Sequence, residues 1–148
     1  EENVTYVNAI SIAKERNINI IESVRMVPMV YSNLISVKIK WKEGDTIVAG
    51  TVINKDDNRI VEIDGCRLDL KASGHILISY HKDKPGIVAS LATILAKNNV
   101  NIAEMELGRK TIGGDAIMCL IVDNKVSDSI LKEISKNKEI KEIKMVEL

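Results

Sequence analysis

The hexapeptide HKDKPG, which begins at His81, carries the side chains in this sequence that are best suited to bind a small ligand. Asp83 offers a carboxylate to an ammonium group, and His81 offers a ring nitrogen to a hydroxyl or a carboxylate. Pro85 is typical of a first helical turn, where free backbone N–H groups attract an anion. Gly86 lets a ligand approach the main chain closely, and Ile87 continues the helix. This combination predicts a site for a zwitterion such as a small amino acid.

The same hexapeptide also has a purely structural interpretation. An Asp before Pro-Gly is typical of a turn and a helix cap, and a single histidine near a strand end is usually structural. If the site is real, its charge-assisted hydrogen bonds contribute about 1.5–3 kcal/mol each. With two or three such hydrogen bonds, and after subtraction of the free-energy cost of association, we expect a micromolar to millimolar affinity. Both interpretations of Asp83 and His81 stay open at this point.

The composition argues against several classes of partner. The 148 residues carry 21 Lys+Arg and 21 Asp+Glu, so the chain has no net field to attract nucleic acid or an anionic membrane. No apolar run approaches the roughly 20 residues of a membrane span, and no signal-peptide pattern is present. We therefore expect a cytoplasmic protein with neither nucleic acid nor membrane as a partner. The chain starts with Glu1, so we also expect it to be a fragment of a longer protein.

Catalytic, metal and cofactor sites are not expected in this chain. Cys66 and Cys119 lie far apart without a second cysteine near either, which predicts buried free thiols in a reducing compartment. The two histidines cannot hold a metal without further ligands. No glycine-rich nucleotide-binding motif follows a strand, and no Ser/His/Asp or Cys/His set has a credible arrangement. The chain is expected to bind a ligand and to leave it chemically unchanged.

The first half of the chain predicts a helix followed by a mostly antiparallel sheet. Helical spacing of apolar residues predicts a helix that ends at Asn17, and Asp64 followed by Gly65 predicts a two-residue hairpin turn. One helix cannot cover such a sheet, so we expect a further layer, from an upstream segment rather than a partner chain. The helix is predicted over residues 4–16, strands over 18–24, 34–40, 46–53, 61–63 and 67–70, and turns over 43–45 and 56–58.

The second half predicts a βαββαβ order, which implies a four-stranded antiparallel sheet with two helices on one face. Strands are predicted over residues 75–80, 101–107, 115–122 and 140–146, and helices over 85–97 and 127–136, with Ser127 as an N-cap. The predicted fold class is α+β: a truncated antiparallel α/β domain over residues 1–73, then a ferredoxin-like domain over residues 74–148.

Several segments resemble one protein family, and together they cover essentially the whole chain. The second half resembles an ACT domain of the serine-regulated kind, through HILISYHKDKPGIV at residues 75–88 and NVNIAEMELGR at residues 99–109. The first half resembles the region that precedes the ACT domain in D-3-phosphoglycerate dehydrogenases, an intervening (allosteric substrate-binding) domain. That resemblance rests on YVNA, AKER, NLISV, VAGTV and RIVEIDG, which begin at Tyr6, Ala13, Asn33, Val48 and Arg59.

The resemblance implies a regulatory role in L-serine biosynthesis. In that family serine binds where two ACT domains meet, between the loop before the Pro-Gly helix and an Asn of the neighbouring subunit. The matching positions here are His81, Asp83 and Asn101, and a homodimer or tetramer through ACT domains is implied. Some family members have Asn at the position of Asp83, and either residue accepts from an ammonium group. NAD is implied for the parent oxidoreductase and not for this chain.

The resemblance also implies a second site. Arg59 and Lys71 match basic positions that bind phosphate-bearing ligands in the intervening domain of some members, whereas the alternative is that both are solvated charges at strand ends. Three other functions stay open for the chain as a whole. They are the regulatory portion of an iron–sulfur L-serine dehydratase, a ligand-free oligomerisation module and an RNA-binding ferredoxin-like domain. The last is disfavoured because the sheet lacks aromatic side chains for stacking bases.

Overall fold

The computed structural model describes residues 3–24, 31–42 and 44–148, in two units that divide after Val30. In the first unit the helix α1 (Ala9–Glu15) is shorter than predicted. It starts late because the side chain of Asn8 accepts a hydrogen bond from the backbone N–H of Thr5 (2.6 Å), which forms a turn before the helix. The predicted stop at Asn17 is confirmed by its left-handed backbone, with φ of 55°.

The strand predicted over residues 18–24 is wrong. These residues have no regular secondary structure, and their large apolar side chains, among them Ile18, Ile20 and Ile21, are exposed. Alternating apolar residues favour a strand only where a neighbouring strand pairs with the backbone. Within the described residues this segment has no such partner.

The second unit begins with an antiparallel meander, which we call the first sheet. Its strands pair in chain order: β1 (Ile35–Trp41), β2 (Gly44–Val52), β3 (Asn58–Ile63) and β4 (Cys66–Lys71). The predicted two-residue turn between the last two strands is confirmed, since Asp64 and Gly65 both have positive φ, at 50° and 81°. Glu43, within the turn predicted over residues 43–45, lies outside the described residues.

The second sheet has the predicted βαββαβ order. It is built from β5 (His75–Lys82), α2 (Ile87–Lys97), β6 (Ile102–Arg109), β7 (Asp115–Val122), α3 (Asp128–Ile134) and β8 (Ile140–Glu147). The strands lie in the order β6-β7-β5-β8 and all pairs are antiparallel. The ferredoxin-like fold is therefore confirmed, and β6 and β8 are its edge strands.

Pro85 does not open α2 as predicted. Gly86 takes the N-cap position with φ of 93° and ψ of −16°, a left-handed conformation that cannot belong to a right-handed helix, so the helix begins at Ile87. Ser127 does occupy the N-cap position of α3, but its hydroxyl pairs with that of Ser129 (2.8 Å) and does not cap the helix.

We call the helix-covered side of the second sheet its front face. The front-face core is aliphatic because the chain has no Phe. Each fully buried Leu or Ile contributes about 1.5–3 kcal/mol relative to exposure. The buried members of this core are Leu77, Leu91, Leu95, Met118, Leu120, Val122, Val126, Ile134 and Ile140.

The opposite side of the second sheet, its rear face, packs against the first sheet. Alternation along β4 turns Cys66, Leu68 and Leu70 towards this contact, and their partners include Ile76, Ile117 and Cys119. The second sheet itself therefore supplies part of the layer that the first sheet needs, an arrangement that differs from the expected upstream segment. Strand β1, which pairs only with β2 in the part of the chain that the structure describes, still exposes one row of apolar side chains: Ile35, Val37, Ile39 and Trp41.

Strands β4 and β6 come close enough to require a glycine. A Cβ atom on Gly108 would lie 2.7 Å from the carbonyl oxygen of Arg67, which is too near for a carbon and an oxygen that are not bonded to each other. The side chains of Glu106 and Glu104 accept hydrogen bonds from the backbone N–H groups of Asp69 and Lys71, both at 3.3 Å. Two carboxylates of one sheet therefore satisfy backbone donors at the edge of the other.

Candidate functional site

Two loops meet at Asp83, directly before α2. The backbone N–H of Asp83 donates to the carbonyl oxygen of Gly114 (2.8 Å). Its Oδ2 atom accepts two bonds in return, from Arg109 Nη1 (2.8 Å) and from the backbone N–H of Gly113 (3.0 Å). The loop that follows β5 is thereby fixed to the loop that follows β6, and the side chain of Asp83 remains partly accessible at 21%.

These donors keep Asp83 ionised. The hydrogen bond from Gly113 and the one from Arg109 lower the pKa of the Asp83 carboxyl below its ordinary value, against a smaller opposing effect of desolvation. A carboxylate at this position can attract an ammonium group, as the sequence predicts. Its Oδ1 atom accepts no hydrogen bond from the described residues.

The first turn of α2 has open backbone donors beside this carboxylate. No side chain caps the helix, and the first bond into it runs from Ser90 N–H to Gly86 oxygen (2.9 Å). The N–H groups of Ile87, Val88 and Ala89 therefore have no partner within the described residues. Such groups, with the helix dipole behind them, favour a carboxylate. The side chain of Ile87 is buried, so only its backbone is available to a ligand.

The structure places His81 on the front face of the second sheet, with only 2% of its surface exposed in this single chain. Its Nδ1 atom lies 3.2 Å from the carbonyl oxygen of Ser79. Because a carbonyl only accepts, Nδ1 must carry the hydrogen, and in the tautomer with its single hydrogen on Nδ1 the Nε2 atom is an acceptor. His81 can therefore offer a ligand an acceptor at Nε2.

Asn101 lies far from Asp83 within one chain. It directly precedes β6, whereas the contact of Asp83 is Arg109, the last residue of that strand. A strand of 8 residues separates the two ends by roughly 25 Å. The amide of Asn101 donates to Asp123 Oδ2 (2.9 Å) on the exposed surface at that far end. A ligand that touches both Asp83 and Asn101 therefore needs a second chain.

The two basic residues of the possible anion site are neighbours. Arg59 on β3 and Lys71 on β4 are paired in the sheet register, so their side chains share a face. The guanidinium of Arg59 is already engaged, with Asp57 Oδ1 at 2.7 Å and Asp69 Oδ1 at 3.5 Å. These carboxylates would compete with a bound phosphate, and the anion site stays a prediction.

Sequence reasoning missed Arg109, Gly113 and Gly114 as members of the Asp83 cluster. They follow Asp83 by 26 residues or more, and a loop of Thr and Gly gives no local signal of where it packs. The pair of glycines after a predicted strand indicated a turn, which is the only signal that the sequence offered.

The described residues contain no group of three or more His, Cys, Asp or Glu side chains placed to hold a metal ion. Cys66 and Cys119 are free and buried, and burial raises the pKa of both thiols, that of Cys119 to about 12. They are therefore poor nucleophiles and poor metal ligands at neutral pH. Within the described segments, no helix combines the length and the apolar character that crossing a bilayer demands.

Comparison with known families assigns both halves of the chain. Residues 1–64 match the D-3-phosphoglycerate dehydrogenase intervening domain, and residues 75–139 match the ACT domain. Both matches agree with the resemblance seen in the motifs, which is thereby confirmed. The domain boundary at residue 73 stays a prediction.

Curated relatives point the same way. The D-3-phosphoglycerate dehydrogenase of Bacillus subtilis (strain 168) is 37% identical over 148 residues, which is 100% of this chain and 28% of that protein. The enzyme of the same name from Methanocaldococcus jannaschii is 32% identical over 145 residues, 98% of this chain and 27% of that protein. A probable L-serine dehydratase beta chain of B. subtilis is 34% identical over 128 residues, 86% of this chain and 58% of that protein. The chain thus spans about a quarter of the dehydrogenases that it matches.

Proposed function

We propose that this chain is the L-serine-sensing portion of a D-3-phosphoglycerate dehydrogenase. Its residues 1–64 belong to the intervening-domain family of that enzyme, and its residues 75–139 belong to the ACT-domain family. The observation that carries the proposal is the open carboxylate of Asp83 beside the uncapped start of α2. These two features have opposite charge preferences, as a zwitterion requires.

The chain binds serine through the ammonium group and the carboxylate of the amino acid. Its ammonium group binds Asp83, and its carboxylate lies against the free N–H groups at residues 87–89. Pro85 and Gly86 shape the approach, because the left-handed glycine directs the chain into the helix and has no atom within 4 Å of a Cβ position. His81 Nε2 accepts a hydrogen bond from the serine hydroxyl.

A second copy of the chain completes the site. Asn101 lies too far from Asp83 to reach the same ligand, so the Asn comes from the partner. Edge strand β6 exposes Met105 and Leu107, at 48% and 43%, on the front face. Within the described residues β6 pairs only with β7, and an apolar row beside such a free edge favours a homodimer that pairs this edge across a twofold axis.

Regulation then follows from linkage. Serine that bridges two ACT domains stabilises one relative orientation of the pair, and only to the extent that it binds that orientation more tightly. In the parent enzyme, a cytoplasmic NAD-dependent oxidoreductase of serine biosynthesis, this orientation acts on distant catalytic domains as feedback inhibition. No cofactor, nucleic acid or membrane takes part in this chain's own role.

Calorimetric titration with L-serine tests the proposal, and complementation tests the shared site. Wild type should bind serine at micromolar to millimolar concentration, while Asp83→Ala and Asn101→Ala should each abolish binding. A mixture of the two variants should recover roughly a quarter of the sites, because each mixed dimer holds one intact site. The matched control is Asn124→Ala, an exposed position directly after Asp123, the hydrogen-bond partner of Asn101.

Several results would contradict the proposal. No heat with millimolar serine would favour a ligand-free oligomerisation module. Serine binding that survives in both variants would place the site elsewhere. Binding that is lost in both variants and not recovered by mixing would contradict the shared site, provided that the two variants, each carrying a different affinity tag, co-purify as mixed dimers.

The L-serine dehydratase relative supports a second candidate function. This chain covers more of that protein than of the dehydrogenases, at 58% against 28%. Serine would then be the substrate of the parent enzyme and not its distant end product. Assays of the whole parent protein separate the two candidates: NAD-dependent oxidation of 3-phosphoglycerate supports the first, and deamination of L-serine supports the second.

A further inference from the structure

The ion pair at the proposed site is only partly used. Arg109 ends β6 with a side chain that is 49% exposed, and among the described residues only its Nη1 atom has a partner, Asp83 Oδ2 at 2.8 Å. A guanidinium carries several N–H donors in one plane, so most of them remain available to a ligand. Asp83 likewise has its Oδ1 atom open.

The pair contributes little to the fold by itself. Ion pairs on a solvated surface stabilise proteins only slightly, and this one has both partners accessible. Asp83 already receives the Gly113 N–H group, which fixes its loop without help from Arg109. A structural role alone therefore does not explain why Arg109 lies beside Asp83.

The geometry matches the two charges of an α-amino acid. An open carboxylate oxygen and an open guanidinium edge lie side by side. The ammonium and carboxylate groups of an α-amino acid are also close neighbours, because a single carbon joins them. Two residues separate Asp83 from Gly86, so the pair also flanks the free N–H groups of α2. A carboxylate there can accept from the helix and from a planar, bidentate donor at once.

We propose that Arg109 binds the α-carboxylate of the amino acid directly, while Asp83 binds the ammonium group. This inference rests on the proposed function and adds a residue to its site. It makes the site selective for zwitterions, because an amine without a carboxylate leaves Arg109 unused and a carboxylic acid without an amine leaves Asp83 unused.

Titration with L-serine and with L-serinamide, which lacks the carboxylate charge, tests the inference. We expect Arg109→Gln to lower the affinity for L-serine about 10- to 100-fold and to change the affinity for L-serinamide much less. The affinity of Arg109→Lys for L-serine should fall between those of wild type and Arg109→Gln, since lysine keeps the charge and loses the bidentate geometry. The matched control is Arg67→Gln, an exposed arginine on β4, which should leave both affinities unchanged.

The outcomes separate this inference from the proposed function. No binding of L-serine by wild type contradicts the proposed function itself. L-serine binding that Arg109→Gln leaves unchanged contradicts the inference alone. Equal losses for L-serine and L-serinamide would mean that Arg109 only positions Asp83, which also overturns it. If wild type fails to bind L-serinamide at all, the carboxylate of the ligand is essential for binding. The inference is then supported if Arg109→Gln lowers the affinity for L-serine and Arg67→Gln does not, and it is contradicted if the two variants bind L-serine equally.

Discussion

The hydroxyl of Tyr80 donates a hydrogen bond to Oδ2 of Asp64 over 3.2 Å, and so joins the ACT sheet to the turn of the hairpin that packs against it. Asp64 also accepts from the backbone N–H of Ile47 through Oδ1, at 2.8 Å. Burial, followed by the charge of Asp64, raises the pKa of Tyr80 well above its ordinary value, so the hydroxyl remains a donor. His81, the next residue, turns to the opposite face of the sheet, towards the proposed serine site.

Removal of this hydroxyl should weaken the contact between the sheets. We expect Tyr80→Phe to lower the free energy of unfolding by about 1 kcal/mol, because a partly buried carboxylate oxygen loses its donor. Urea denaturation at neutral pH measures the change. Tyr6→Phe is the matched control, since Tyr6 is fully exposed and should give no change. Equal stability of Tyr80→Phe and wild type would show that water replaces the hydroxyl without loss.

Gly108 should be intolerant of any side chain. Alanine there would bring its Cβ to 2.7 Å from the Arg67 carbonyl oxygen, and backbone cannot move aside as a flexible side chain can. We expect Gly108→Ala to lower the free energy of unfolding by about 1–3 kcal/mol through overpacking. The control is Gly44→Ala, where a Cβ would meet nothing within 4 Å. Similar effects at both glycines would disprove the close approach of β4 and β6.

The cost of a substitution at Gly86 should come from the backbone conformation at this position and not from steric overlap with neighbouring atoms. Its φ of 93° disfavours every residue with a Cβ, while a Cβ there would touch no atom within 4 Å. We expect Gly86→Ala to lower the free energy of unfolding by about 1–2 kcal/mol, and Gly86→Asn to lower it less, because Asn tolerates the left-handed region. Chemical denaturation compares the three proteins. A penalty that is equal for Ala and Asn would contradict this reason.

Asp115 should make the protein sensitive to acid. Hydrogen bonds from Lys141 and Lys82, at 2.8 and 2.7 Å, lower the pKa of Asp115 to about 2. A lowered pKa in the folded state stabilises the protein above the pKa of the unfolded chain, near 3.9, and this contribution is lost as the pH falls towards 2. We expect Asp115→Asn to lower the melting temperature at pH 7 and to reduce its fall between pH 4 and pH 2.

The acid prediction has a control in a second aspartate. Asp56 occupies an exposed turn with φ of 68°, a conformation that asparagine also adopts. Asp56→Asn should therefore keep the pH dependence of wild type. If the melting temperatures of both variants fall between pH 4 and pH 2 as that of wild type does, the ion pairs of Asp115 with Lys82 and Lys141 contribute nothing to stability in solution.

Local signals in the sequence were enough for most of the second sheet. The Asp64 and Gly65 turn was predictable because only a few residue types adopt positive φ at both positions. The strand β7 was predictable to the residue, since its apolar run is bounded by glycines and by polar residues. The start of α2 was misplaced because the usual proline signal was overridden by the left-handed Gly86.

Long-range relationships were not visible in the sequence. Alternation along β4 shows that one side is buried, but it gives no information on what covers that side. The loop before α2 was recognisable, and Asp83 was singled out there as an acceptor for an ammonium group, a role that stays a prediction. Its contact with Arg109 depends on how two loops 26 residues apart come together, which no local pattern encodes.

The packing of β4 on the rear of the ACT sheet bears on how such domains move between proteins in evolution. A gene rearrangement that transferred residues 74–148 alone would carry Ile76, Ile117 and Cys119 into a new host without the hairpin that shields them. The recipient protein would have to cover these side chains with another layer of structure or tolerate an exposed apolar surface that favours aggregation. Inheritance of the hairpin together with the ACT domain, as one cassette, avoids that difficulty.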